Sequence, residues 1–370
     1  MSRVLVVTND FPTRRGGIET FVLALCRELD PAEVVVYTAT MPGDTAYDAT
    51  LPFPVHRDPT SMLLPTPAVA RRVARVLREE GCDRVLFGAA APLGLLGDHL
   101  RRAGAQRVVA LTHGHEVWWA RVPGARRLLR AIGDRVDVMT YVSVWCRDRI
   151  APALSPAAAG RMEPLSPGVD PERFFPGCGG AQVRERLGIA PSTPVVVCTA
   201  RMVRRKGQDV LVRAWAGVRR EVPGAVLLLV GDGPDRPRLE RLAWEHGVRD
   251  AVIFAGSVPG DEMPAWTDAG DVFAMPCRTR LLGLEPEAFG IVFLEAAGCG
   301  LPVVGGDSGG APEAVGERGV VVDGRDVRTV TDAVVAALRK SLREPGTRTT
   351  LAQDLSWATV GRRVRMLLGR

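Results

Sequence analysis

At 370 residues the chain is long enough for about two domains, and its 46% hydrophobic content is ample for two cores. It has no apolar run of about 18 residues or more and no signal-peptide layout, because Ser2-Arg3-Val4-Leu5-Val6-Val7 leads straight into a glycine loop, which predicts a cytoplasmic protein. Seven single cysteines without a C-x-x-C pair argue against a disulfide framework or a zinc site, and the net charge of +6 is concentrated between Arg71 and Arg130, where twelve arginines face five acids.

In chain order, a strand over Val4 to Thr8 is followed by Asn9-Asp10-Phe11-Pro12, the pair Gly16-Gly17 and a helix from about Ile18 to Leu29. Strands follow at Val34 to Thr38, Arg84 to Phe87, Val108 to Thr112 and Val138 to Val142, with helical stretches between most of them. Two of those stretches, 67–78 and 125–132, have helical period with arginines gathered on one side. Such a face suits an anionic membrane surface or an acidic substrate, and a plain solvated face is the alternative. Without interleaved aromatics or a recognition motif, no nucleic-acid partner is expected. After the strand ending at Thr112 comes the polar cluster His113-Gly114-His115-Glu116, which has no companion cluster elsewhere and so predicts no metal site.

Prolines and glycines from Ser166 to Gly180 mark a linker. The second half then repeats the scheme, with strands Val195 to Thr199, Val226 to Val230, Val252 to Ala255, Val272 to Met275 and Val303 to Gly305, and helices Gln208 to Arg220, Arg236 to Glu245, Gly290 to Gly298 and Val327 to Leu342. Short apolar strands alternating with helices predict an α/β protein of two doubly wound Rossmann-like domains, 1–168 and 169–354, with 355–370 as a terminal helix. Ligands of such sheets bind beyond the carboxyl ends of the strands, so two facing domains would bind theirs in the cleft between them.

The motifs sit at those strand ends. Gly16-Gly17 lets backbone N–H groups approach an anion at a helix start, although a plain turn would look the same. Arg201 and Lys206 share a loop after the first strand of the second half, and Lys206 is one of only two lysines in the chain. Together they suit a phosphate, the lysine as a point charge and the arginine as a planar fork, although a solvated basic loop would read the same. Glu287 and Glu295 frame a glycine turn that opens an apolar helix, where Phe289, Gly290 and Ile291 offer unpaired N–H groups. A carboxylate accepts two hydrogen bonds from vicinal hydroxyls, so the pair suggests sugars on either side of a diphosphate, and an ordinary helix with one acid near its start and a second on its wet face is the alternative.

The ordered set of Gly16-Gly17, Thr112-His-Gly-His-Glu116, Arg201-x4-Lys206-Gly207, Gly231-Asp-Gly-Pro234, Glu287-x7-Glu295 and Asp307-Ser-Gly-Gly-Ala-Pro-Glu313 resembles the retaining family 4 glycosyltransferases, and runs over nearly the whole chain. Asn9-Asp10-Phe11-Pro12 and Arg278-Thr-Arg280 make it most similar to GDP-mannose-dependent phosphatidylinositol mannosyltransferases. The resemblance implies the GT-B fold, with the terminal helix crossing back to the first domain, and transfer of a hexose from a nucleotide sugar, GDP-mannose above all, to a hydroxyl of a lipid or small-molecule acceptor. It implies that Arg201 and Lys206, helped by Gly16 and Gly17, neutralise the donor diphosphate, so that no metal or other cofactor is required. Glu287 would contact the donor hexose, Phe289, Gly290 and Ile291 the sugar and phosphate, Glu295 the ribose, and the loop from Gly256 to Val258 the base. His113 and Asp10 would lie near the transferred sugar and the acceptor, on the inner face of the cell membrane if that acceptor is a lipid. Two departures touch the acceptor: Ala288 stands where glycine is common, and Trp118-Trp119 where smaller residues are expected. They leave room for a different nucleotide sugar with a soluble or natural-product acceptor, and a nucleotide-sugar 2-epimerase is the alternative of another class.

Overall fold

The computed structural model describes residues 3–14, 16–343 and 355–369. The chain divides into two compact units, one made of 1–167 with 357–370 and the other of 168–356. The first is built on a seven-stranded sheet of β1 (Arg3–Thr8), β2 (Val34–Ala39), β3 (Val55–Asp58), β4 (Cys82–Phe87), β5 (Arg107–Ala110), β6 (Val138–Tyr141) and β7 (Met162–Pro164). Its strand order is β3-β2-β1-β4-β5-β6-β7, and every pairing is parallel. The second carries β8 (Val195–Thr199), β9 (Val226–Val230), β10 (Val252–Gly256), β11 (Val272–Met275), β12 (Val303–Gly306) and β13 (Gly319–Val322), also all parallel, in the order β10-β9-β8-β11-β12-β13.

The residues explain these sheets. Val4 to Thr8 and Val195 to Thr199 are buried without interruption, as strands covered on both faces by helices must be. In each unit the strand order reverses beside the first strand, between β1 and β4 and again between β8 and β11. A crevice opens at such a switch point, so the loops after β1, β8 and β11 are where each unit offers a ligand site.

The helix Trp357–Leu367 belongs to the first unit. Val360, Val364, Leu367 and Leu368 recur on one helical face and join Phe21, Leu25 and Val34 in its core. Trp357 stacks edge-on against Phe21 with ring centroids 5.5 Å apart, and Arg365 donates to the Glu28 carbonyl at 2.6 Å. The core explains the long apolar spacing at this end of the chain; residues 344–354, through which the second domain was expected to run to its end, lie outside the described residues.

Candidate functional site

In the second unit the loops after β8, β11 and β12 meet around Glu287. This carboxylate is buried, and its Oε2 takes Lys206 Nζ at 2.7 Å and an Arg205 nitrogen at 3.0 Å. Burial alone would raise its pKa, but the Lys206 charge and then the Arg205 charge outweigh that and hold it below the ordinary carboxylate value. Both cations bind the same oxygen, which leaves Oε1 as the acceptor a hydroxyl would meet. Lys206 and Glu287 are therefore partners across the site, and Arg205, which the spacing did not single out, is a third member.

The backbone of Glu287 is clamped by the Asp307-Ser-Gly-Gly segment. Its N–H donates to the buried Ser308 Oγ at 3.0 Å, and that hydroxyl lies 2.9 Å from Thr279 Oγ1. The Glu287 carbonyl accepts from the Gly310 N–H at 2.9 Å. Gly309 has φ +60, and a Cβ there would stand 1.9 Å from the Glu287 oxygen, so only glycine lets the two segments approach.

Arg201 is exposed, and among the described residues its guanidinium has no ion-pair partner. Its carbonyl is held by the Gln208 side-chain amide at 3.2 Å, while the following Met202 exchanges hydrogen bonds with the Gly231-Asp-Gly-Pro turn, Met202 N–H to the Asp232 carbonyl at 2.9 Å and Asp235 N–H to the Met202 carbonyl at 3.1 Å. Arg201, Arg204 and Arg205 line a cleft of about 720 Å³ with Arg238, Arg241 and Arg280. A rigid backbone carrying a free cationic fork is what an anionic group would bind.

Gly290, in a left-handed conformation, opens the helix Ile291–Gly298, and Phe289 is buried beneath it. Glu295 lies on this helix and is only partly exposed; burial pushes its carboxyl up to about 7, opposed only by the Arg173 charge. Arg173 in turn donates to the Gly260 carbonyl at 2.7 Å, which ties the linker to the loop that follows β10. That loop begins at Gly256, whose carbonyl accepts from the Gly231 N–H at 2.8 Å, and continues through the half-buried Val258.

In the first unit, His113 follows β5 and its Nε2 lies 2.6 Å from the Gly88 carbonyl after β4. A carbonyl only accepts, so Nε2 carries the proton and Nδ1 is the acceptor. Burial, more than any charge, lowers the His113 pKa and keeps the ring neutral. Asp10 and Glu116 are both within electrostatic range of the ring, and the His113 backbone N–H donates to Glu116 Oε2 at 3.1 Å. Asp10 is held by its N–H to Thr8 Oγ1 at 2.9 Å. Gly17 opens the helix Gly17–Arg27. A Cβ on Gly16 would meet the Glu19 carboxylate at 2.3 Å, so an acid of the chain already occupies the region expected to receive an anion. Burial and the nearby Asp10 raise the Glu19 pKa, against its own backbone N–H bond and Arg14. The structure thus brings Asp10, Glu19 and His113 together, and Glu19 is the residue that spacing missed; its only signal was an acid in a helix's first turn. Trp118 and Trp119 pack edge-on at 6.3 Å, with Trp118 exposed. Among the described residues no three His, Cys, Asp or Glu side chains are grouped to hold a metal ion.

Residues 15–173 match the family described as Glycosyltransferase Family 4, and residues 193–340 that described as Glycosyl transferases group 1. The chain is 51% identical over 338 residues to the GDP-mannose-dependent alpha-(1-6)-phosphatidylinositol monomannoside mannosyltransferase of Mycolicibacterium smegmatis, covering 90% of this chain and 88% of that one. It is 42% identical to the GDP-mannose-dependent monoacylated alpha-(1-6)-phosphatidylinositol monomannoside mannosyltransferase of Corynebacterium glutamicum, covering 99% and 97%. A D-inositol 3-phosphate glycosyltransferase of Acidothermus cellulolyticus is 31% identical, with 92% and 78% covered. Among solved structures, Anabaena Alr3699/HepE with UDP and glucose superposes over the whole of both chains with a TM-score of 0.76 at 18% identity. Sucrose-phosphate synthase from Thermosynechococcus elongatus does so with 0.75 at 23%, over 99% and 98%. At those identities the likeness shows the fold, GT-B, built from two parallel-sheet Rossmann-like units.

Proposed function

The chain belongs to the family 4 glycosyltransferases, and from that premise we propose that it transfers mannose from GDP-mannose to a hydroxyl of a phosphatidylinositol mannoside. The observation that carries the reading is the 51% identity, over nine-tenths of the chain, to an enzyme named for that donor and acceptor. The names of the more distant relatives support an inositol phosphate acceptor as well.

The second unit supplies the donor chemistry. Breaking the anomeric bond leaves negative charge on the departing diphosphate, and preorganised cations there typically lower the barrier by a few kcal/mol per group. Arg201 and Lys206 are assigned that role, with Glu287 holding Lys206 in place and presenting Oε1 to the mannose hydroxyls. Phe289, Gly290 and Ile291 offer N–H groups to sugar and phosphate, Glu295 accepts from the ribose hydroxyls, and Gly256 to Val258 read the base. GDP-mannose carries an α bond and the relatives are named for α products, which supports retention of configuration. The leaving phosphate then takes the acceptor's proton, and no covalent carboxylate intermediate of the glycosidase kind is needed. Gly16 and Gly17 are assigned to the donor only with the Glu19 carboxylate, which stands beside Gly16, giving way to it, and Asp10 and the neutral His113 are assigned to the acceptor side.

No helix among the described residues is long and apolar enough to cross a membrane. For surface contact with a membrane that carries a lipid acceptor, the helix Pro67–Glu79 offers exposed Arg71, Arg75 and Arg78, and the helix Pro123–Arg135 exposed Arg127 and Arg130 beside Leu128. The test is radiolabelled GDP-mannose with vesicle-borne phosphatidylinositol monomannoside. Label should enter the lipid, and Glu287→Gln should abolish this while the circular dichroism spectrum stays unchanged. Selective thermal stabilisation by a UDP-sugar rather than GDP-mannose would refute the donor assignment, and change of the donor sugar without any acceptor would mark an epimerase.

A further inference from the structure

The loop after β11 carries, between Arg280 and Glu287, an apolar tip to which no donor contact is assigned. Arg280 and Glu285 pair across it, their backbones exchanging two N–H to carbonyl bonds at 3.2 Å and their side chains an ion pair at 3.1 Å. The four residues between, Leu281-Leu282-Gly283-Leu284, form its tip. Leu282 is 98% exposed, Leu281 56% and Leu284 40%, the densest group of exposed large apolar side chains in the described residues. Leu281 and Leu282 are also the only non-glycine described residues with positive φ, at 49 and 52. Leucine rarely adopts that region, so the pair is held outward by the closed loop rather than collapsing onto the unit.

Beside the tip is a cleft of about 630 Å³ lined by Arg213, Arg278, Arg280 and Arg325, with Asp209 as its one acid. Three of these arginines are anchored: Arg278 on Asp209 at 2.9 Å, Arg280 on Glu285, and Arg325 on the Thr279 carbonyl at 2.8 Å. Arg213 is exposed and makes no ion pair among the described residues. An apolar tip beside a rigid cationic pocket matches one kind of partner in both respects, a bilayer with hydrocarbon below its anionic phosphates. A tip of three leucines is small against the roughly 800 Å² per partner of a specific protein interface, which disfavours a second copy as the occupant.

We propose that the Leu281–Leu284 tip inserts into a lipid bilayer while the adjoining arginine cleft holds the phosphate of an anionic lipid of that surface. This goes beyond the proposed transfer reaction and places a membrane contact in the unit to which the donor residues belong. The experiment is flotation of the full chain with vesicles of phosphatidylcholine, with and without phosphatidylglycerol, free of nucleotide and acceptor, so that its outcome is independent of the transfer reading. Leu281→Ser combined with Leu282→Ser should weaken partitioning onto the anionic vesicles by about tenfold or more, from the apolar area withdrawn from the bilayer. Both side chains face solvent, so thermal stabilisation by GDP-mannose should be unchanged. Arg213→Ala should weaken binding to the anionic vesicles alone, and by less as salt rises. A tryptophan placed by Leu282→Trp should be quenched by brominated lipid beyond the wild-type level. Unchanged flotation of the double serine variant, or an unquenched tryptophan, overturns the proposal. So does loss of a dimer in sedimentation without loss of vesicle binding, which would make the tip an interface between copies.

Discussion

Replacing Glu295 by glutamine separates its cost to folding from its use in binding. The carboxyl is pushed from an ordinary 4.5 to about 7, first by burial, with only the Arg173 charge acting the other way. An unfolded chain ionises this group above about pH 4.5, while the folded one keeps the proton until about 7. Between those values the native state binds more protons, so stability falls as pH rises and stays reduced above 7. At ~1.4 kcal/mol per pH unit the full interval is worth about 3 kcal/mol, and partial exposure of the side chain reduces the expected effect to roughly 1–2 kcal/mol. Glu295→Gln removes the ionisable group, so it should leave Tm near the wild-type value at about pH 5 and raise it by roughly 2–6 °C at about pH 8. Donor binding should respond in the opposite sense. In the proposed role only the carboxylate would accept from both ribose hydroxyls, so wild-type affinity for GDP-mannose should strengthen as pH passes through about 7, whereas the glutamine variant should bind more weakly and without that dependence. Calorimetric melting and titration calorimetry across the same pH series read both effects. An equal Tm difference at both ends, or a variant whose donor affinity still climbs through pH 7, would refute the assignment.

Gly309→Ala should place a methyl 1.9 Å from the Glu287 carbonyl oxygen at a φ of +60 that alanine tolerates poorly. Mannosyl transfer should fall at least about a hundredfold with roughly 1–3 kcal/mol of stability lost, and activity within twofold of wild type would show that the clamp on Glu287 is not needed. Truncation before Trp357 removes Val360, Val364, Leu367 and Leu368 from the core of the first unit. At about 1.5–3 kcal/mol per side chain the loss is comparable to a domain's whole stability, so the truncated chain should be recovered unfolded or aggregated, and an unchanged Tm would contradict the packing.

What the sequence revealed followed from local physics. Strands such as β1, β8 and β9 read as continuous valine and leucine runs because both of their faces are covered, and their ends could be set within a residue or two. β3, β7 and β13 escaped notice because each is an edge strand with one neighbour: Val-His-Arg-Asp is mostly half-buried, Met-Glu-Pro ends in proline, and Gly-Val-Val-Val exposes its middle. The site divides the same way. Lys206 stood out because lysine is rare in this chain and Glu287 because it precedes a glycine-opened helix, yet their ion pair joins segments some 80 residues apart and has no local signature. Arg205 was hidden by composition, one arginine among forty-six, although it pairs with the same oxygen as Lys206. Arg173 was legible only as linker, and it is the packing of that linker that sets the charge beside Glu295. The Asp307-Ser-Gly-Gly motif gives the sharpest instance. Read alone it is a turn, but Ser308, Gly309 and Gly310 each touch the backbone of Glu287, so the motif acts by fixing where one carboxylate stands.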